Sequence, residues 1–85
     1  MKFTFSNHAL EQMKLRHIRK AIVETILENP QQVIKENGHK IYQSIVKMEQ
    51  TNYLIRIFVV HKNNTNLIKT VYRTSKINKY YEGKI

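Results

Sequence analysis

The apolar positions of the first thirty residues recur at spacings of three and four, and those of the rest recur at every second residue. That change of period separates a helical part from a sheet. Within 7–16, Ala9, Leu10 and Met13 form an apolar stripe that His17 extends, and Ser6 or Asn7 stands where an N-cap belongs. Over 19–29, Ile22, Val23, Ile26 and Leu27 continue a stronger stripe begun at Ile18. Its start is poorly capped, because Arg19 occupies the place of a Ser or Asp, and Asn29-Pro30 ends it. Ahead of both helices, residues 2–5 alternate polar and apolar and can add a short edge strand.

Beyond Pro30, strands are expected over 31–36, 39–48, 53–60 and 67–73. Asn37-Gly38 is a strong hairpin signal, and turns over 49–52 and 63–66 make the other reversals. The run YLIRIFVV at 53–60 is apolar on both faces, the mark of a central strand covered on both sides, and Arg56 is its one charge. Residues 75–81 close the chain as a short helix. The two long helices have only one place to bury their stripes, a face of the sheet. The expected fold is one α+β domain over 1–85, with two N-terminal helices packed on a four-stranded antiparallel sheet and a short C-terminal helix. The opposite sheet face is expected to be partly open.

Composition narrows the chemistry. Fifteen Lys and Arg oppose six acids, all of them Glu, for a formal net charge of +9. Such a balance favours a polyanionic partner (nucleic acid, an anionic membrane or an acidic protein), and a merely solubilising surface is the plainer reading. The chain has no Cys, which excludes disulfides, thiol nucleophiles and cysteine metal sites. Without Asp, the usual acidic loops for calcium or magnesium are missing. The histidines, at 8, 17, 39 and 61, form no helical i,i+4 pair. Neither a Gly-rich phosphate loop nor a G-x-S-x-G turn is present. No metal and no cofactor are therefore expected. No stretch approaches the roughly 20 apolar residues of a membrane span, and the N-terminus lacks the features of a secretory signal, so no membrane association and a cytoplasmic location are expected.

The opening FSNHALEQMKLRHI resembles a family of small bacterial and cyanobacterial proteins known only as a domain of unknown function. Its pattern is F-S-x-H-A, an arginine-rich turn and a second helix ending in N-P, matched here by Phe5, Ser6, His8, Ala9, Arg16, Ile18, Asn29 and Pro30. The segment VYRTSKINKYY at 71–81 is similar to the ending of some members. One departure is Arg19, where relatives often carry a small capping residue. That family looks like a branch of the RelE and barnase-type ribonuclease superfamily. The resemblance implies a RelE-like fold and a metal-independent endoribonuclease of toxin-antitoxin type, held in check by an acidic antitoxin. No single catalytic set is shared across that superfamily, so the residues must speak for themselves.

Metal-free RNA cleavage needs a base for the 2′-hydroxyl, an acid for the leaving oxygen and cations for the phosphorane. Histidine suits the first two roles and arginine the third. His8, in the first turn of the first helix, is the candidate base; it can equally be a capping or packing residue under the sheet. Arg56 and Arg73 are the candidate phosphate clamps, and the acid is unassigned. Arg56 has a second reading, an ion pair with Glu11 or Glu24 on a helix. Arg16 and His17, with Arg19 and Lys20, form a basic knot between the helices that either binds phosphate or is a solvated corner. His39, Lys40 and His61 read as surface residues. Tyr72, Lys76, Lys79 and Tyr80 interleave cations with rings, a pattern suited to single-stranded nucleic acid, though the tyrosines can instead pack on the core. Two further readings stand beside the enzyme: a non-catalytic nucleic-acid-binding module and a protein-interaction domain. The patterns leave open whether a sheet edge makes a homodimer.

Overall fold

The chain lays down one sheet and crosses it once. The computed structural model describes residues 2–83. In order these form β1 (Phe3–Phe5), α1 (Asn7–Leu15), α2 (Lys20–Glu28), β2 (Gln32–Glu36), β3 (His39–Met48), β4 (Thr51–Lys62), β5 (Thr65–Thr74) and α3 (Ile77–Tyr80). The sheet order is β1-β5-β4-β3-β2. The expected antiparallel meander is present as β2 to β5. The sheet as a whole is nevertheless five-stranded and mixed, because β1 pairs with β5 in parallel. Alternation along 2–5 marks a strand but carries no information on its direction. Because β1 and β2 lie at opposite edges, α1 and α2 carry the chain across one face between them.

Capping explains where the helices begin and end. Ser6 is extended, and its Oγ accepts the Ala9 N–H at 3.0 Å. The same residue anchors α1 to β5, donating its backbone N–H to the Ile68 carbonyl at 3.0 Å and its hydroxyl to the Lys69 carbonyl at 3.2 Å. At the other end Ile18 N–H reaches the Met13 carbonyl at 2.8 Å and His17 N–H the Lys14 carbonyl at 3.3 Å. These two bonds make a Schellman motif, with His17 at φ 56° in the position glycine usually fills. Its apolar pair is Ile18 and Met13, both buried in the core. Helix α2 starts at Arg19 with no side-chain cap, as its sequence implies.

All three hairpins turn on two residues with positive φ, namely Asn37-Gly38, Glu49-Gln50 and Asn63-Asn64. Such turns match the right-handed twist of the strands. They also lengthen β4 and β5 at the expense of the four-residue turns expected at 49–52 and 63–66. Asn tolerates this backbone, whereas Glu49 and Gln50 adopt it against their preference. A bulge sets Phe58 opposite Thr70 and Val59 opposite Ile68, leaving Lys69 without a partner across the ladder. The extra residue lets Ile68 and Val71, an odd number of positions apart, both join the core on the helix side.

That core gathers Ile55, Ile57 and Val59 from β4 with Tyr42, Ile68 and Val71 from its neighbours, and Ala9, Met13, Val23, Ile26 and Leu27 from the helices. The residues between them face the other way and are buried too: Leu54 and Arg56 on β4, Ile41 and Gln43 on β3. The central strand is thus covered on both faces, as its sequence implies. The second face is only partly open, because the segment after β5 returns across it.

Relieving the left-handed positions raises stability. His17→Gly gains about 0.5–1 kcal/mol, and Glu49→Asn with Gln50→Gly about 1 kcal/mol or more. Thermal melts of the two variants read this as a rise of several degrees in Tm. A fall in either would mean that the native side chain makes contacts worth more than its backbone strain.

Candidate nucleic-acid interface

Arg56 lies at the middle of β4, facing away from α1 and α2. Register places Gln43 of β3 directly opposite it on one side and Tyr72 of β5 on the other, and sets Gln32 of β2 opposite Gln43. Four strands therefore contribute one polar residue each to a row across the sheet. The row is bonded end to end. Gln43 Nε2 donates to Gln32 Oε1 at 2.7 Å, Arg56 Nε to Gln43 Oε1 at 2.9 Å, and Arg56 Nη1 to the Tyr72 hydroxyl at 2.9 Å.

Arg56 is only 5 % exposed, and its hydrogen-bond partners are a neutral amide and a neutral phenol rather than a carboxylate. The expected alternative, pairing with Glu11 or Glu24, is excluded by the pleat, since those glutamates belong to helices on the opposite face. Aromatic rings supply the rest of the stabilisation. The guanidinium carbon lies 4.5 Å from the Tyr80 ring centroid, 5.3 Å from that of Phe58 and 5.9 Å from that of Tyr72. Each such contact, when desolvated, is worth up to about 2 kcal/mol. Among the described residues the charge is met by π faces and by no carboxylate, which leaves a positive potential at this point of the sheet. Among the described residues Nη2 donates no hydrogen bond, which leaves the guanidinium one uncommitted fork.

The returning segment covers this row. Thr74 Oγ1 accepts the Lys76 N–H at 3.0 Å and turns the chain. Gln43 Nε2 then donates to the Tyr80 carbonyl at 3.2 Å. Gln32 takes the Glu82 backbone with both ends of its amide, accepting its N–H at 3.1 Å and donating to its carbonyl. Lys76 and Lys79 are exposed, and the Lys79 ammonium lies 5.3 Å from the Tyr80 ring centroid.

Among the residues singled out by sequence, Arg56, Tyr72, Tyr80 and Lys79 come together here, with Lys76 beside them. The others do not join them. Arg73 follows Tyr72 on the same strand and points to the helix side, 4.5 Å from the Tyr53 ring centroid, with Nη1 3.9 Å from Met48 Sδ. The two arginines expected to clamp one phosphate are thus on opposite faces. His8 is exposed in the first turn of α1, neither capping, which Ser6 does, nor packed under the sheet. Arg16 and His17 are exposed at the turn between the helices, where His17 has the backbone role described above. The histidine on the Arg56 face is His39, half-buried, its ring centroid 6.0 Å from that of Phe58. Sequence reasoning missed Gln32, Gln43 and Phe58. Their signal is register, which becomes readable once each turn is known to be two residues long.

The row makes a stability prediction. Gln43→Leu strands the buried Arg56 Nε and costs about 2–3 kcal/mol, read as a lower urea midpoint at unchanged m. Adding Arg56→Met recovers part of that loss, because it removes the unsatisfied charge. A single variant as stable as the native protein would show that the row contributes nothing to stability.

Among the described residues no group of three His, Asp or Glu could hold a metal ion, and no helix is long and apolar enough to cross a membrane. No curated protein and no solved structure matches the chain. One family model does, over residues 5–73, a span that takes in the whole polar row and stops short of α3. On that match the chain belongs to the family described as Domain of unknown function (DUF4258).

Proposed function

We propose that the domain binds single-stranded RNA on the sheet face around Arg56. The observation that carries this reading is a buried guanidinium flanked by aromatic rings and bonded to no carboxylate among the described residues, with the exposed cations Lys76 and Lys79 at its border. Phosphates are met by the cations and bases by rings, the pairing that sequence-tolerant single-strand binding uses. The net charge of +9 adds long-range attraction. An acidic antitoxin would compete for the same potential, and the setting we infer is cytoplasmic.

Metal-independent cleavage of toxin type, on a RelE-like fold, is the second reading. The order of helices and antiparallel strands supports the kinship. His39 supports the chemistry, since it shares the Arg56 face whereas His8 does not. Of the two readings, binding asks less of the geometry, because among the described residues no His or Glu is hydrogen-bonded to Arg56.

A gel shift with labelled mixed-sequence RNA in excess EDTA tests both. With about three phosphate contacts, affinity for a single strand falls roughly twentyfold between about 50 and 200 mM salt, and Lys76→Ala with Lys79→Ala flattens that slope. No affinity at the lower salt, or a flat response, sinks the RNA reading and leaves a protein-interaction domain. EDTA-resistant cleavage lost in His39→Ala would establish the enzyme; intact RNA that still shifts leaves a binding module.

A further inference from the structure

We propose, resting on the RNA reading above, that the Arg56 slot is a subsite for one unstacked nucleobase and its phosphate, and that the chain's own C-terminal segment occupies it in the free protein. The Tyr80 ring lies 4.5 Å from the guanidinium carbon, nearer than either ring supplied by the sheet. It stands where a base would stack on the guanidinium plane. The polar contacts around it follow the same logic. Gln32 holds an N–H and a C=O of one residue, Glu82, with both ends of its amide. That adjacent donor and acceptor is what the edge of a nucleobase offers to a glutamine side chain. Gln43 Nε2 holds a third tail group, the Tyr80 carbonyl. The uncommitted Nη2 of Arg56 then remains for a phosphate oxygen.

The cover is built to leave. Helix α3 has four residues, none buried, and its N-cap Lys76 makes no side-chain cap. Among the described residues its attachments are neutral hydrogen bonds to two glutamine amides, one ring over a cation and the edge-on contact of that ring with Tyr72, with no ladder bonding to the sheet. Water or a ligand can replace each of these separately. The sheet row beneath is different in kind, since its members are bonded to one another and survive departure of the tail. The family-matched span, residues 5–73, takes in every member of the sheet row.

Tyr80→Ala separates this inference from the plainer role of Tyr80 as a stacking ring for RNA. Fluorescence anisotropy with a labelled single-stranded RNA of mixed sequence, on the full chain, gives the readout. An occluding Tyr80 predicts binding at least fivefold tighter in the variant. Weaker or equal binding overturns the inference while the RNA reading stands; no binding by either protein removes both. Hydrogen exchange on the native chain guards against a misfolded variant. Saturating RNA should speed exchange of the Glu82 amide, which Gln32 now protects, and slower or unchanged exchange there would show that the tail stays in place.

Discussion

A guanidinium held in mid-sheet with no carboxylate bonded to it among the described residues is the constraint from which much of this structure follows. Removing a cation from water is costly unless its donors are met and its charge is spread. Arg56 satisfies this with Gln43 Oε1, the Tyr72 hydroxyl and three ring faces. Apart from Phe58, two residues along β4, those groups arrive from β3, from β5 and from the segment after β5. Strands β3 and β5 have to be in register to within one residue, because a slip of one turns Gln43 or Tyr72 to the other face. The segment after β5 has to fold back to bring Tyr80 over the charge. A leucine at the same position would accept a looser sheet; the arginine does not.

Three tight turns and one bulge supply that register. The two-residue loops at Asn37-Gly38 and Glu49-Gln50 set Gln32, Gln43 and Arg56 in line. The bulge at Lys69 corrects the last hairpin by one position, so that Tyr72 and not its neighbour meets Arg56. The same correction lets Ile68 and Val71 both reach the helix-side core. One irregularity thus serves both faces, which accounts for a lysine left without a ladder partner in a strand otherwise well paired. Glu49 and Gln50 hold their left-handed backbone for the same reason, since a two-residue turn of this hand keeps the strands twisted and aligned.

Much of the fold was legible in advance. The helices, β2, β3 and the short final helix lie where periodicity and capping residues put them, and Ser6 and Asn37-Gly38 act as their chemistry suggests. The site was legible in its parts and not in its assembly. Arg56 stood out as a charge in an apolar run, and Tyr72, Tyr80 and Lys79 as a basic-aromatic tail. The grouping of Arg56 with Arg73 and His8 failed on a point of pleat geometry. Arg73 is opposite Ile55, one position from the Arg56 row, and so faces the helices. Gln32 and Gln43 gave no sign of themselves, because a buried glutamine in a strand looks like any surface one until its neighbours are known.

Local pattern, then, determined where elements start and stop, which strand is central and how basic the chain is. These depend on residues close in sequence, through capping, periodicity and turn preference. Tertiary structure alone decided that the edge strand at Phe3–Phe5 pairs in parallel with β5, and that four polar residues spread over 32–72 form one bonded row. It also decided that the tail lies on that row and not in solvent. Those outcomes rest on register and on contacts between residues far apart in the chain, 63 positions for Phe3 and Asn66 and 50 for Gln32 and Glu82. No sequence window holds that information, because a one-residue bulge reverses which side chains meet.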